Sequence, residues 1–323
     1  VKAAGTKTPV LKTAACLQTL GWLALLALAG LAPALLGSYG QGVLLQLYAW
    51  IALTASWVAF SGMTGYISLG HAVFYGMGAY VMALTWMQLP MLLILLLAAV
   101  AAGAFAFLSG LPALRVRGPY FVILTFGLAE FVKHVVIAIE SALGISGRLM
   151  MGAPDVRWLA WGMLALAVLA VALVAVLRRS RFGMALWAVR EDEVAAMTLG
   201  VPTTRVKLAA FVLSALIPAM VGALTVLRST YFEPMQMFNP MTSFTIVTMA
   251  IIGGSDRPVG PVLGAGFIML LSELLWSRAP EVYMVLLGVL LLGFVLFAPN
   301  GLAGAGMRAG AGAGRKKTGG QAS

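Results

Sequence analysis

Ionisable residues are scarce in this chain, so the few that cluster carry the first argument. Glu130, Lys133 and His134 fall within five residues of one another inside an apolar run. At i,i+3 spacing the acid and the base share a helix face and can pair. Counted from Pro119 at 1.5 Å per residue, Glu130 lies about 16 Å along its helix. In a membrane-crossing helix that places the carboxylate near the midplane, with Lys133 one turn on and able to reach toward the outer interface. Ionisable residues at such depth are expensive and are candidates for function by default. A mutual structural pair is an equal alternative.

The second cluster lies in RSRFGMALWAVREDEVAAMTLGVPTTRVK, residues 179–207, the longest polar interval between two apolar runs. Glu191, Asp192 and Glu193 begin a short helix expected over Arg190–Leu199, where the helix dipole favours negative charge. Gly200 suits the left-handed position that closes a helix, and Pro202 blocks continuation. The result is a helix of about two to three turns, marginal alone in water. Ala195, Ala196, Met197 and Leu199 give it a small, apolar contact surface, so a docking partner is the expected reason for it.

Other candidates are weaker. His71 stands early in an expected helix over 67–88; a buried neutral imidazole there should donate to a nearby carbonyl rather than relay protons. With two histidines in the chain, no metal site is expected. Glu273 reads as interfacial, at the outer end of its helix. Cys16 is the single cysteine, which excludes an intrachain disulfide. No phosphate-binding G-x-x-x-x-G-K-[ST], H-E-x-x-H or G-x-S-x-G pattern occurs, so nucleotide hydrolysis by a visible motif is excluded. If the chain pumps, the energy comes from elsewhere.

The elements that hold these residues follow from composition. The chain of 323 residues is 62% hydrophobic and 10% charged, with a mean hydropathy of +1.00. Soluble domains carry roughly 25% charged residues. Long apolar runs without alternation predict an all-α, polytopic membrane protein. Ten spans are expected, at 17–37, 41–60, 67–88, 89–113, 119–139, 157–177, 207–228, 242–253, 260–277 and 281–298. The eighth is too short to cross alone unless it extends or is a broken helix.

The net charge of +11 follows the positive-inside rule rather than a nucleic-acid footprint. With the N-terminus inside, Lys2, Lys7, Lys12, Arg115, Arg117, Arg178, Arg179, Arg181, Arg190, Arg205, Lys207, Arg257, Arg308, Arg315, Lys316 and Lys317 are cytoplasmic, 16 of the 21 basic residues. Both termini are therefore expected in the cytoplasm. The chain divides into an N-terminal segment (1–16), a transmembrane domain (17–302) containing the cytoplasmic loop 178–206, and a disordered basic tail (303–323). The run after Lys12 exceeds a signal-peptide core and reads as a retained helix. Arg315, Lys316 and Lys317 suit weak attraction to anionic lipid.

Within residues 61–80, SGMTGYISLGHAVFYGMGAY, a helical register aligns Ser68, Ala72, Gly76, Ala79 and, just beyond, Ala83. Such a seam lets a second helix approach closely; a thin wall along a transport path is the competing reading.

These residues resemble a known family. SGMTGYISLGHAVFYGMGAY is similar to the signature following the second helix of branched-chain amino-acid ABC transporter permeases, LivM-type subunit. VREDEVAAMTLGVPTTRVKLAAFVLSALIPAMVGAL (189–224) resembles that family's coupling segment and next helix. MAIIGGSDRPVGPVLGAGFIMLLSELL (249–275) and LFAPNGLAG (296–304) resemble its C-terminal blocks. The resemblance implies an ABC importer permease fold in a bacterial inner membrane. Its implied partners are a second permease, two cytoplasmic ATPase subunits and a periplasmic solute-binding protein, with membrane lipid around it and no cofactor of its own.

By position, the resemblance assigns Arg190, Glu191, Asp192, Glu193, Ala195, Ala196, Leu199 and Gly200 to ATPase coupling. It sets Gly65, Ser68, Leu69, Gly70, His71, Gly76, Gly78 and Tyr80 near the translocation path. Glu130 and Lys133 join these as path or packing residues. Tyr66 stands where glutamine is common, and ALGISGRLMMGAPDV (142–156) keeps only a loose echo of the family's Thr-Gly-Gly run. Both departures bear on the solute: urea, short amides or another small polar solute are alternatives to branched-chain amino acids. An ion-coupled secondary transporter using Glu130 and Lys133 is the other expectation to be weighed.

Overall fold

The computed structural model describes residues 27–145 and 147–276, with positions 285, 288, 289, 292 and 293. Rich in alanine, leucine and valine, these residues form helix almost throughout. The elements are α1 (27–35), α2 (Ser38–Trp57) running into a π-helical turn (Val58–Gly62), α3 (His71–Thr85), α4 (Met91–Ala113), α5 (Pro119–Ala142), α6 (Val156–Arg179), α7 (Arg181–Glu191), α8 (Glu193–Thr198), α9 (Thr203–Val226), α10 (Pro234–Met237), α11 (Pro240–Gly253) and α12 (Gly260–Trp276). Two short strands, β1 (Arg148–Leu149) and β2 (Tyr231–Phe232), complete the set.

Among the described residues five helical runs are long and apolar enough to cross a membrane: Ser38–Gly62, Met91–Ala113, Pro119–Ala142, Val156–Arg179 and Thr203–Val226. The expected spans from 41 to 277 each coincide with a helix. The span at 17–37 is described only from residue 27, and the last span and both terminal segments, Cys16 included, lie almost wholly outside the described residues. The short eighth span is α11, whose 14 residues reach only about 21 Å against the ~30 Å of hydrocarbon.

One boundary differs. The helix expected over 67–88 begins only at His71, and residues 65–69 are non-helical. Side chains and a carbonyl make this possible in a partly buried segment, where unpaired backbone groups are costly. Ser61 Oγ accepts from Ser68 N–H at 3.3 Å, Thr125 Oγ1 from Leu69 N–H at 3.1 Å, and Ser68 C=O from the Trp57 indole at 2.8 Å.

The core is built around α9, which packs on α3 and α4. The α3/α9 crossing is backbone against backbone. A Cβ on Gly78 would fall 1.8 Å from the Ala219 carbonyl oxygen, and one on Gly222 would fall 1.9 Å from that of Tyr75. Gly253 and Gly264 do the same for α11 against α12. Around this crossing, Phe60, Phe74 and Phe121 ring Phe211, with centroid separations of 5.1–6.5 Å.

Each end of the bundle is tied differently. At one end β1 pairs antiparallel with β2, Arg148 opposite Phe232 and Leu149 opposite Tyr231. Beside it, Glu140 accepts from Arg148 Nε at 2.8 Å and from Tyr80 Oη at 3.0 Å. At the other end the connections 58–70, 114–118, 180–202 and 254–259 converge. That end carries Arg115, Arg117, Arg178, Arg179, Arg181, Arg190, Arg205, Lys207 and Arg257, against Arg148, Arg157 and Arg228 opposite.

Candidate functional site

The basic end holds the more elaborate of two polar constellations. α7 starts at the Ser180 cap, whose hydroxyl accepts from Gly183 N–H at 3.0 Å. It ends at Glu191 because Asp192 leaves the helix (φ −156°, ψ 110°) and caps α8, accepting from Val194 and Ala195 N–H at 2.8 and 3.0 Å. The single helix expected over Arg190–Leu199 is thus two helices with Asp192 at the break. The Asp192 carboxylate bonds the backbone better as a cap than inside a turn, and Lys207, from α9, holds Glu193 beyond the break. The end falls as expected. Gly200 adopts φ +85°, and Val201 N–H bonds Ala196 C=O while Gly200 N–H bonds Met197 C=O, the paired closure that glycine permits.

Glu193 points inward. Its carboxylate accepts from Lys207 Nζ at 2.7 Å and from Tyr66 Oη at 2.5 Å, with Arg117 at 3.7 Å. Lys207 also donates to Leu114 C=O at 3.3 Å and lies 4.5 Å from the Tyr66 ring centre. Arg190, assigned to coupling by resemblance, is likewise internal. It donates to Gly62 C=O at 2.7 Å and to Asp256 at 3.1 Å, stacked on Trp187. Ala196 is buried too. Exposed in and around α8 are Glu191, Asp192, Val194, Ala195, Met197, Thr198, Leu199 and Gly200.

Burial pushes the Glu193 carboxyl up. The hydrogen bonds from Lys207 and Tyr66 and the charges of Lys207 and Arg117 outweigh it and hold the group below its ordinary value. Burial and that carboxylate push the Tyr66 phenol well up, keeping it a donor. A depressed carboxyl contributes stability that is present above the unfolded pKa and lost as pH falls through the folded one. The attachment of α8 should therefore survive at about pH 4.3, where a free glutamate is half protonated, and fail only below it. Hydrogen exchange of amides 192–201, corrected for intrinsic rate, reads this out; loss of protection above about pH 5 would contradict it.

The second constellation is the one expected in α5. Lys133 pairs with Glu130, and His134 Nε2 lies 3.7 Å from the same carboxylate. Of the signature residues, Gly76 faces the Phe238 ring and Gly78 faces α9, so both serve packing. The seam is shifted by about 100° on the helix, since Tyr75 and Gly78, not Ala72 and Gly76, meet α9. Gly65 and Leu69 lie in the connection before α3, Gly70 caps it, and Tyr80 belongs to the Glu140 cluster.

His71 departs from expectation. It is fully buried and edge-on to Phe74, yet neither ring nitrogen has a partner among the described residues. Two nearby carbonyls accept from other donors, that of Ser68 from the Trp57 indole and that of Gly70 from Val73 N–H. Glu273, expected at an interface, bonds Tyr39 at the start of α2.

A family model for the permease component of branched-chain amino acid transport systems matches residues 40–295. The chain belongs to this family. Among its relatives is the high-affinity branched-chain amino acid transport system permease protein LivM of Salmonella typhimurium, 28% identical over 281 residues. The same-named protein of Escherichia coli is equally similar. Each alignment covers 75% of this chain, and the chain spans 64% of the length of each relative. No solved structure matches. Family members are transport permeases, and this one is a multi-pass membrane protein.

In this permease-family chain the sequence reading missed Lys207, Arg117, Asp256, Glu140 and Arg148 as site partners. Each acts across elements, so no helical spacing betrays it. Tyr66 alone gave a signal, as a departure from the family pattern.

Proposed function

We propose that the chain is one permease subunit of an ATP-driven importer for branched-chain or related amino acids in a bacterial inner membrane. It crosses the membrane ten times, with both termini and the basic end in the cytoplasm. Its partners are a second permease, two ATPase subunits and a periplasmic binding protein that selects the solute. The relatives' shared role supports the solute class, and the charge asymmetry between the two ends supports the orientation.

The observation that carries the reading is the two-sidedness of α8. Glu193 and Ala196 fasten it inward, while Val194 at 55%, Met197 at 42% and Leu199 at 84% exposure face out beside Glu191. A helix of six residues with that much apolar surface in water is built to be covered. ATPase closure pushes on this face, and the Tyr66, Lys207 and Arg117 contacts pass the push to the segment before α3 and to the start of α5.

Glu191→Lys with Leu199→Asp tests it, because both side chains are exposed and folding should change by less than about 0.5 kcal/mol. In proteoliposomes with all subunits, uptake should fall at least tenfold and stimulation of ATP hydrolysis by the loaded binding protein should be lost. Uptake equal to the unaltered complex would sink the coupling role of this face.

A further inference from the structure

The proposed importer role leaves open where the charges of the solute are met inside the membrane. α5 is the least covered of the five crossing helices: 17% of its most apolar window is buried, against 33–72% for the others. Its open face carries Ile123, Leu124, Phe131, Val135 and Ile139. Among these apolar residues lie His134, with 69% of its side chain exposed, and Glu130, with 28%. Lys133 lies deeper, at 11%. Gly127, one turn before Glu130, is exposed, and no described residue lies within 4 Å of where its Cβ would stand.

Hydrocarbon is a poor cover for this face, because ionisable groups near the midplane are costly against lipid and turn to a protein interior or a water-filled cavity. We infer that Glu130 and Lys133 form a charge-matched station for a zwitterionic solute, on a path between α5 and the second permease subunit. The inference rests on the proposed importer role. The two side chains now satisfy each other. An amino acid replaces both halves of that pair: its ammonium group takes the Glu130 carboxylate and its carboxylate takes the Lys133 ammonium. No bond to hydrogen breaks and no proton need move, and every charge has an opposite neighbour before and after the exchange. Urea or a short amide carries no full charge and cannot open the pair in this way. The open space at Gly127 and the exposed Phe131 leave room and apolar surface for a branched side chain.

The test uses the complete complex in proteoliposomes, with leucine as the solute. In E130Q/K133Q two neutral amides keep a hydrogen bond at i,i+3 spacing but offer no charge. The variant complex should assemble and hydrolyse ATP within twofold of the unaltered one, while leucine uptake falls at least tenfold. An assembled variant that takes up leucine within twofold of native overturns the station and makes the pair structural. A second measurement needs no variant: a diazirine analogue of leucine, irradiated during turnover of the native complex, should label residues 126–138. Labelling absent from α5 overturns the inference even if the variant fails to assemble. A native complex with all partners that carries no zwitterion overturns the importer reading itself, which separates the two failures.

Discussion

Gly78→Val should leave almost no folded protein in the membrane. The valine Cβ would stand 1.8 Å from the carbonyl oxygen of Ala219. That atom belongs to the backbone of α9, so no rotamer change can make room. The opposing glycine, Gly222, is as close to the Tyr75 carbonyl, so the two helices touch at two successive points and can only be pried apart. In lipid, helices adhere through close packing rather than by escape from water. Separation therefore forfeits the contact along the whole α3/α9 crossing. Overpacking costs about 1–3 kcal/mol where side chains can shift, and about 3 kcal/mol or more is expected here. Gly266→Val is the control, because among the described residues nothing lies within 4 Å of its added Cβ. Membrane yield and unfolding midpoint in detergent should collapse for the first variant and hold for the second. Equal behaviour would refute the packing assignment.

The second large effect is expected from Glu193→Ala. Lys207 keeps only 2% of its side chain exposed, and without the carboxylate its charge is left with a phenol oxygen and the Leu114 carbonyl. Removing one member of a buried pair costs about 3–5 kcal/mol, whereas replacing both by apolar groups is often neutral. Glu193→Ala should thus loosen α8 and lower the unfolding midpoint, and adding Lys207→Met should restore most of the loss. If the double variant is no better than the single one, the pair is not what fastens α8.

Legibility in the sequence followed the range of the interaction. The end of α8 could be read because Gly200 and Pro202 act on their own backbone. The Glu130–Lys133 pair could be read because both stand on one helix three residues apart. The break at Asp192 could not. Three successive acids look like one helical first turn until Lys207, from α9, draws Glu193 inward. The face of α3 that meets α9 was equally hidden: Gly76 and Gly78 lie about 200° apart on the helix, and each is small enough to be the contact. His71 shows the converse failure, where a sound rule about buried imidazoles met a site in which neither ring nitrogen has a partner among the described residues. In the family's terms most of the fold was readable, but the arrangement of charges that fastens α7 and α8 was not.

The small strand pair at the far end has a mechanical consequence. Hydrogen bonds between β1 and β2, together with Glu140, Arg148 and Tyr80, tie α3, α5, α6 and α9 into one knot at the strand end. At the basic end, side-chain bonds of Glu193, Arg190 and Lys207 hold α7, α8 and α9 to the segment before α3, the end of α4 and the start of α5. A displacement delivered at α8 acts on the free arm of a lever whose fulcrum is that knot. Travel is then greatest at the basic end and smallest beneath the strands, so the protein opens like forceps rather than sliding like a piston.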